Sequence, residues 1–293
     1  MWISTALLVL SLAGCTASTP RPTETYPPDP DARTHWELRH RLLDTKGMQV
    51  VGQRIGQSEE STSVRLVNAA TNETDDCSVR LSEPGQGGPG NLVGEKISTT
   101  FDGHPAVRNG TGAEGDYLMW RLEDETWIEV SCSSADSRTR IDRVAAAVDL
   151  APTPIMIPFD LELPAGYGVS AISNDLDQPG ARVHLGRVGR KPGSPEAELA
   201  VSCGAPEVSS APTGEPTTVG GRHVQVDDAR TSPVVWVPEQ GRWIFVGVET
   251  GDTGPYPNRS AELPALESLA ESISFATDLA DPTTWFAADG VLG

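Results

Sequence analysis

The sequence predicts an α+β protein: two tandem repeats, each a mainly antiparallel sheet with a closing C-terminal helix. Three observations carry that expectation. A tryptophan-flanked segment occurs twice, as Trp120-Arg-Leu-Glu-Asp-Glu-Thr-Trp127-Ile-Glu-Val and Trp236-Val-Pro-Glu-Gln-Gly-Arg-Trp243-Ile-Phe-Val. Short Val/Ile/aromatic runs between Pro and Gly breaks precede each copy, as strands do. After each copy, apolar residues fall at i, i+3, i+4 and i+7, one face of a helix. They are Ile141, Val144, Ala145 and Val148 in the first, and Leu266, Leu269, Ala270 and Ile273 in the second.

A period near 120 residues relates the halves, with offsets drifting from 116 to 125 as loop insertions would make them. Gly47-Met-Gln-Val-Val aligns with Gly166-Tyr-Gly-Val-Ser, and Val64-Arg-Leu66 with Val183-His-Leu185. Thr99-Thr-Phe-Asp-Gly103 aligns with Thr217-Thr-Val-Gly-Gly221. The expected organisation is a signal peptide at 1–14, a lipidated cysteine and tether at 15–30, repeats at 31–151 and 152–276, and a C-terminal tail at 277–293. A chain of 293 residues is long enough for two cores.

Acidic residues number 41 against 22 basic ones, for a net charge of −19. Without clustered Lys or Arg, a nucleic-acid role is excluded. The acid is spread through both halves and reads as a solvated surface.

At the N-terminus, Ala6-Leu-Leu-Val-Leu-Ser-Leu-Ala13 is too short an apolar run to span a bilayer. It ends in Leu12-Ala13-Gly14-Cys15, which resembles the lipobox of bacterial lipoproteins; with only three lysines, the residue usage is similar to that of high-GC Gram-positive bacteria. The resemblance implies a diacylglyceryl, palmitate-type anchor on Cys15. It also implies a place on the extracytoplasmic face of the cell membrane, because two or more acyl chains hold a protein stably there. Thr16 to Pro30 is rich in Pro, Thr and acid and reads as a solvated tether.

In the second repeat the expected strands are Phe159–Leu163, Val169–Ile172, Ala181–Arg187, Glu198–Cys203, Arg222–Val226, Pro233–Val237 and Arg242–Thr250. The expected helices are 138–149 and 261–275, with Pro264 in a first turn where its missing N–H costs little. With turns at Leu122–Glu125 and Pro238–Gly241, Trp120 lies opposite Trp127 and Trp236 opposite Trp243. Alternation then turns Ile128, Val130, Cys132, Ile244, Val246 and Val248 toward the helix. The tryptophans and Phe245 stand on the other face. Either the other sheet, neighbouring loops or the tail Asp281-Pro-Thr-Thr-Trp285-Phe286 cover that face, or it is an aromatic groove. Such a groove would serve an envelope protein or a small apolar or sugar-like ligand.

Export favours disulfides. Cys77, in Cys77-Ser-Val-Arg-Leu81, and Cys132 both alternate onto apolar faces, and Cys77–Cys132 is the preferred bridge. Cys203 reads as a buried free thiol, with an inter-domain bridge or metal as alternatives. No metal is expected, since the cysteines lack zinc spacing and the histidines (35, 40, 104, 184, 223) lack a metal pattern. His104 and His223 follow the paired glycines Gly103 and Gly221 and are the candidates for a general base, with polar turn residues as the plainer reading. Pro84-Gly-Gln-Gly-Gly-Pro-Gly90 reads as a loop. No nucleophile elbow, phosphate loop or dinucleotide fingerprint occurs, so no catalytic residue and no cofactor are assigned.

Phe159-Asp-Leu-Glu-Leu-Pro-Ala-Gly-Tyr167 opens a strands–hairpin–helix layout that resembles small α/β sandwich modules of the Mog1/PsbP-like kind. That resemblance implies a non-enzymatic accessory or binding role outside the cytoplasm. A carrier of an apolar or lipid ligand is the alternative, and a hydrolase-type enzyme comes after it.

Overall fold

The computed structural model describes residues 35–43, 46–67, 74–91, 95–109, 116–133, 137–188, 198–204, 212, 214–228, 233–249 and 259–292. The signal peptide, Cys15 and the tether lie outside these. The described chain is α+β and mainly antiparallel.

The first half contributes β1 (Met48–Gly56), β2 (Glu59–Val67), β3 (Thr74–Ser82), β4 (Lys96–Phe101), β5 (His104–Asn109), β6 (Asp116–Arg121) and β7 (Trp127–Cys132), then α1 (Arg138–Ala147). The second contributes β8 (Tyr167–Asp175), β9 (Gly180–Arg187), β10 (Glu198–Cys203), β11 (Glu215–Val219), β12 (Arg222–Asp227), β13 (Val234–Glu239) and β14 (Arg242–Glu249), then α2 (Arg259–Ser272). All fourteen strands join one sheet in the order β4-β5-β6-β7-β3-β2-β1-β8-β9-β10-β14-β13-β12-β11. Each half therefore runs through the same strand order outward from a central antiparallel seam of β1 with β8.

Local chemistry repeats with that order. Both halves bulge in their first strand, at Val51 and at Ser170. Asp102-Gly103 and Gly220-Gly221 make two-residue turns with both φ positive (48° and 81°; 55° and 82°), the geometry that suits the twist of a tight hairpin. Val50 pairs with Val64 and Val169 with Leu185, so Val64 corresponds to Leu185 rather than to the expected Val183. The β8–β9 turn is two residues longer than the β1–β2 turn, and this causes the shift.

One face of the sheet is packed. Leu118, Ile128, Val130 and Val79 meet Ile141 and Val144 of α1, all of them fully buried. Val183, Leu199, Val237 and Ile244 meet Leu266 and Leu269 of α2 in the same way. Truncating one such side chain to Ala costs about 2–5 kcal/mol. Two extended segments with period-2 burial fill the rest of this inner layer. Trp36, Leu38 and His40 lead the first half, and Ile155, Ile157, Phe159 and Leu161 lead the second. Each leading segment pairs with the strand after its helix, Leu42 with Val148 and Phe159 with Phe275. The expected tail is part of this layer. Phe286 pairs with Ile157, and Trp285, 4% exposed, enters the same cluster as α2. It does not cover the opposite face. Asn174, buried at the seam, is satisfied by Gln53 and the Met156 carbonyl.

Candidate functional site

The three described helices (α3 is Ala288–Val291) and both leading segments pack on the inner face, so among the described residues no helix lies on the outer face, where Met119, Val234 and Trp236 are buried and Arg54 and Arg80 are exposed. The register there overturns the expected tryptophan pairs. Trp120 faces Ile128 and Trp127 faces Arg121, while Trp236 faces Phe245 and Trp243 faces Pro238. Five residues, Leu122–Thr126, join β6 to β7, so the pairing slips by one from the expected register and sends Trp120 to the other side of the sheet. There it is 4% exposed, its ring 4.7 Å from Phe101, in the cluster with α1. Only two residues, Gln240-Gly241, join β13 to β14; that slip of two keeps Trp236 and Trp243 on the outer face.

The outer aromatics are thus Trp127 in the first half and Trp236, Trp243 and Phe245 in the second. Trp127 is half-buried beneath the glycine-rich loop, with Gly88 seated close to its indole nitrogen. A Cβ on Gly88 would stand 3.2 Å from that nitrogen, and its φ of +108° also requires glycine. Trp236 and Phe245 meet edge to face at 5.5 Å, and the Phe245 ring lies over Gly247. The indole N–H of Trp236 and the Oε1 of its cross-strand neighbour Gln225 are both buried without a hydrogen-bond partner. Tyr117 stands on the outer face of β6, and burial, with help from the Glu129 carboxylate, pushes its hydroxyl pKa up.

The Cys77 and Cys132 sulfurs lie 2.06 Å apart, at disulfide distance, across the β3–β7 pair. At the corresponding place in the second half Leu199 faces Val248. Cys203 is an unpaired buried thiol; burial pushes its pKa up to about 11, against an opposing pull from Arg242. Asp75 joins the two bridged cysteines in the one cluster with metal-ligating atoms among the described residues. The sulfurs are spent on each other, and the Asp75 carboxylate accepts from Ser133 and Arg140.

The histidines are dispersed. His35 lies 3.5 Å from Asp289, His184 lies 3.9 Å from Glu198 on the outer face, His104 opens β5, and His223 is the second residue of β12. His40 is the buried one. Its Nε2 is 2.9 Å from Thr62 Oγ1, its Nδ1 has no partner, and burial, with Arg39 adding repulsion, lowers its pKa to about 4. Beside it the fully buried Glu60 accepts from the backbone N–H and Nε of Arg39. Sequence alternation alone does not find Glu60 or Gln225, since each stands in a strand with several other polar residues.

Compared with known proteins, the chain matches no family model, and no curated protein matches it.

Proposed function

We propose that this chain is a lipid-anchored lipoprotein of the cell envelope, made of two tandem modules, that works by binding and not by catalysis. Leu12-Ala13-Gly14-Cys15 supports the anchor, and the Pro/Thr tether supports a body held away from the lipid. The shared strand order, the paired bulges at Val51 and Ser170 and the two leading segments support duplication of one module. The carrying observation for binding is the placement of the half-buried Trp243 and Phe245, beside the buried Trp236, on the sheet face that no described helix covers. A lipid-carrier reading has less support, because the space between sheet and helices is filled by fully buried side chains such as Phe159, Leu199 and Leu266.

Cells fed an alkyne fatty acid should label the wild-type chain and leave Cys15→Ala unlabelled; equal labelling of both removes the anchor from this reading. A photo-crosslinking residue at Trp243 should give a discrete adduct in intact envelopes. The same residue at Leu150, exposed beyond α1, should give none. Adducts at neither position, or equally at both, would sink the binding assignment.

A further inference from the structure

One rung of directly paired, outward residues crosses the middle of the sheet. Arg80 pairs with Ser61, Ser61 with Arg54, Arg54 with Ser173, Ser173 with Arg182, and Arg182 with Ser202. Arginine and serine alternate strand by strand, so successive guanidinium stems rise about 10 Å apart. At one end Glu129 pairs with Arg80; at the other Phe245 pairs with Ser202 and leads to Trp236.

Two features set this row apart. Along their own strands Arg54 is flanked on the outer face by Gly52 and Gly56, and Arg80 by Ser78 and Ser82, so both side chains stand clear of their neighbours. Both residues are exposed, and neither makes a hydrogen bond or ion pair among the described residues. Several other arginines of this acidic chain hold carboxylates, Arg39 with Glu60 among them, while Arg143 and Arg242 hold backbone carbonyls. Arg65, on the same face, holds both Asp76 and Asp177. Arg41, Arg108, Arg121, Arg140 and Arg187 are paired too. The two unpaired guanidiniums of Arg54 and Arg80, held on a face that no described helix covers, are ready to take bidentate carboxylates.

We infer that the row docks an extended acidic polypeptide segment, laid across the strands with its carboxylates on Arg54 and Arg80. The Ser61 hydroxyl between them bonds to the same groups. A polypeptide fits better than a phosphate polymer or a lipid headgroup, because the row runs on to the half-buried Phe245, whose open side takes an apolar side chain, with the buried Trp236 behind it. Apolar side chains from the same segment cover that end. This inference rests on reading the outer face as a binding surface.

The test uses the full-length lipid-bearing protein in detergent and fluorescein-labelled oligoglutamate, with oligoglutamine of equal length as the neutral control, read by anisotropy. Wild type should bind oligoglutamate and not oligoglutamine. The double variant R54S/R80S places at both sites the serine that the second half carries at the corresponding positions, Ser173 and Ser202. It should weaken binding at low salt by at least about fivefold, and high salt should close the gap. Equal binding by the double variant, or equal binding of oligoglutamine, would overturn the inference. So would tighter, arginine-dependent binding of phosphatidylglycerol vesicles or of inorganic polyphosphate. Should the probes ignore both arginines while crosslinking from Trp243 persists, the face keeps its role and only the acidic partner falls.

Discussion

His40 gives the most quantitative handle on this molecule. Its imidazole is fully buried, and its pKa is lowered from 6.5 to about 4. Burial strips the charged form of its water, and Arg39 adds like-charge repulsion. In the unfolded chain His40 takes a proton below about 6.5; in the folded chain it resists until about 4. The contribution to stability is therefore present above 6.5 and is lost as pH falls through that window. At about 1.4 kcal/mol per pH decade, the whole interval is worth about 3 kcal/mol. In the second half the residues at these places are Phe159 and Val183, the former by its pairing beside α2 and the latter by its alternation on β9. The double variant H40F/T62V copies them. It removes the titrating group together with its hydrogen-bond partner, so no polar atom is left unpaired, and stability near pH 7 should change by no more than about 1.5 kcal/mol. Denaturant unfolding of both proteins at several pH values between 7 and 4 checks this. The wild-type curve should fall more steeply, by about 3 kcal/mol over the window. Parallel curves would refute the reasoning and assign the acid sensitivity to groups other than His40.

Three further outcomes are expected. Replacing the bridge by C77L/C132V, the pair the second half carries as Leu199 and Val248, keeps the packing but frees a separation of 55 residues; the loss should be about 4 kcal/mol, matched by adding reductant to wild type. Glu262→Ala removes a carboxylate, 2% exposed, that accepts from Tyr167 and Arg187 and pins α2 to the sheet; with Arg187 partly exposed, the cost should be about 2 kcal/mol, read as a lower melting temperature. Gly247→Ala drives a methyl into the Phe245 ring, 2.4 Å from the added carbon, and should cost about 1–3 kcal/mol with a shift in tryptophan emission. A thermally silent Gly247→Ala would mean that the Phe245 ring turns aside freely.

Much of the fold was legible where one face is buried. The inward sets of β7 and β14, the inner positions of Cys77 and Cys132, and the start of α1 all follow from alternation or helical spacing. The edge strand β11 was not legible. Glu-Pro-Thr-Thr-Val is exposed on both faces, so it carries no apolar period, and Pro216 argues against a strand unless it is an edge. Nor was the fate of Trp120. Between Trp120 and Trp127 a four-residue turn and a five-residue loop are both compatible with Leu-Glu-Asp-Glu-Thr. The structure closes five, with Glu125 at φ 70° and Leu122 N–H donating to the Thr126 carbonyl. One residue of loop decides whether an indole enters the core or faces the solvent. The leading segment Trp36–His40 was also opaque, because a histidine at the buried position breaks its apolar alternation.

The differences between corresponding positions carry more functional content than the agreements. Under the tandem-module reading, a common ancestor needed only one packed inner layer, and most inner positions stay apolar in both halves. The outer rung has diverged in kind. Glu129 and Met119 occupy in the first half the places of Phe245 and Trp236 in the second, while the centre keeps arginine and serine. Met119 and Trp236 are themselves buried, at 3% and 5% exposure, so packing shapes that end of the gradient, whereas Arg54 and Arg80 are exposed, where exchange alters stability by only about 0.5 kcal/mol. A row charged at its middle and aromatic at one end is polar in the directional sense: a ligand lying along it meets different chemistry at its two ends. Two identical modules joined at a symmetric seam would accept such a ligand in either direction. Divergence of the flanking strands removes that ambiguity, which is a physical reason for a duplicated sheet to keep its core and change its outer face.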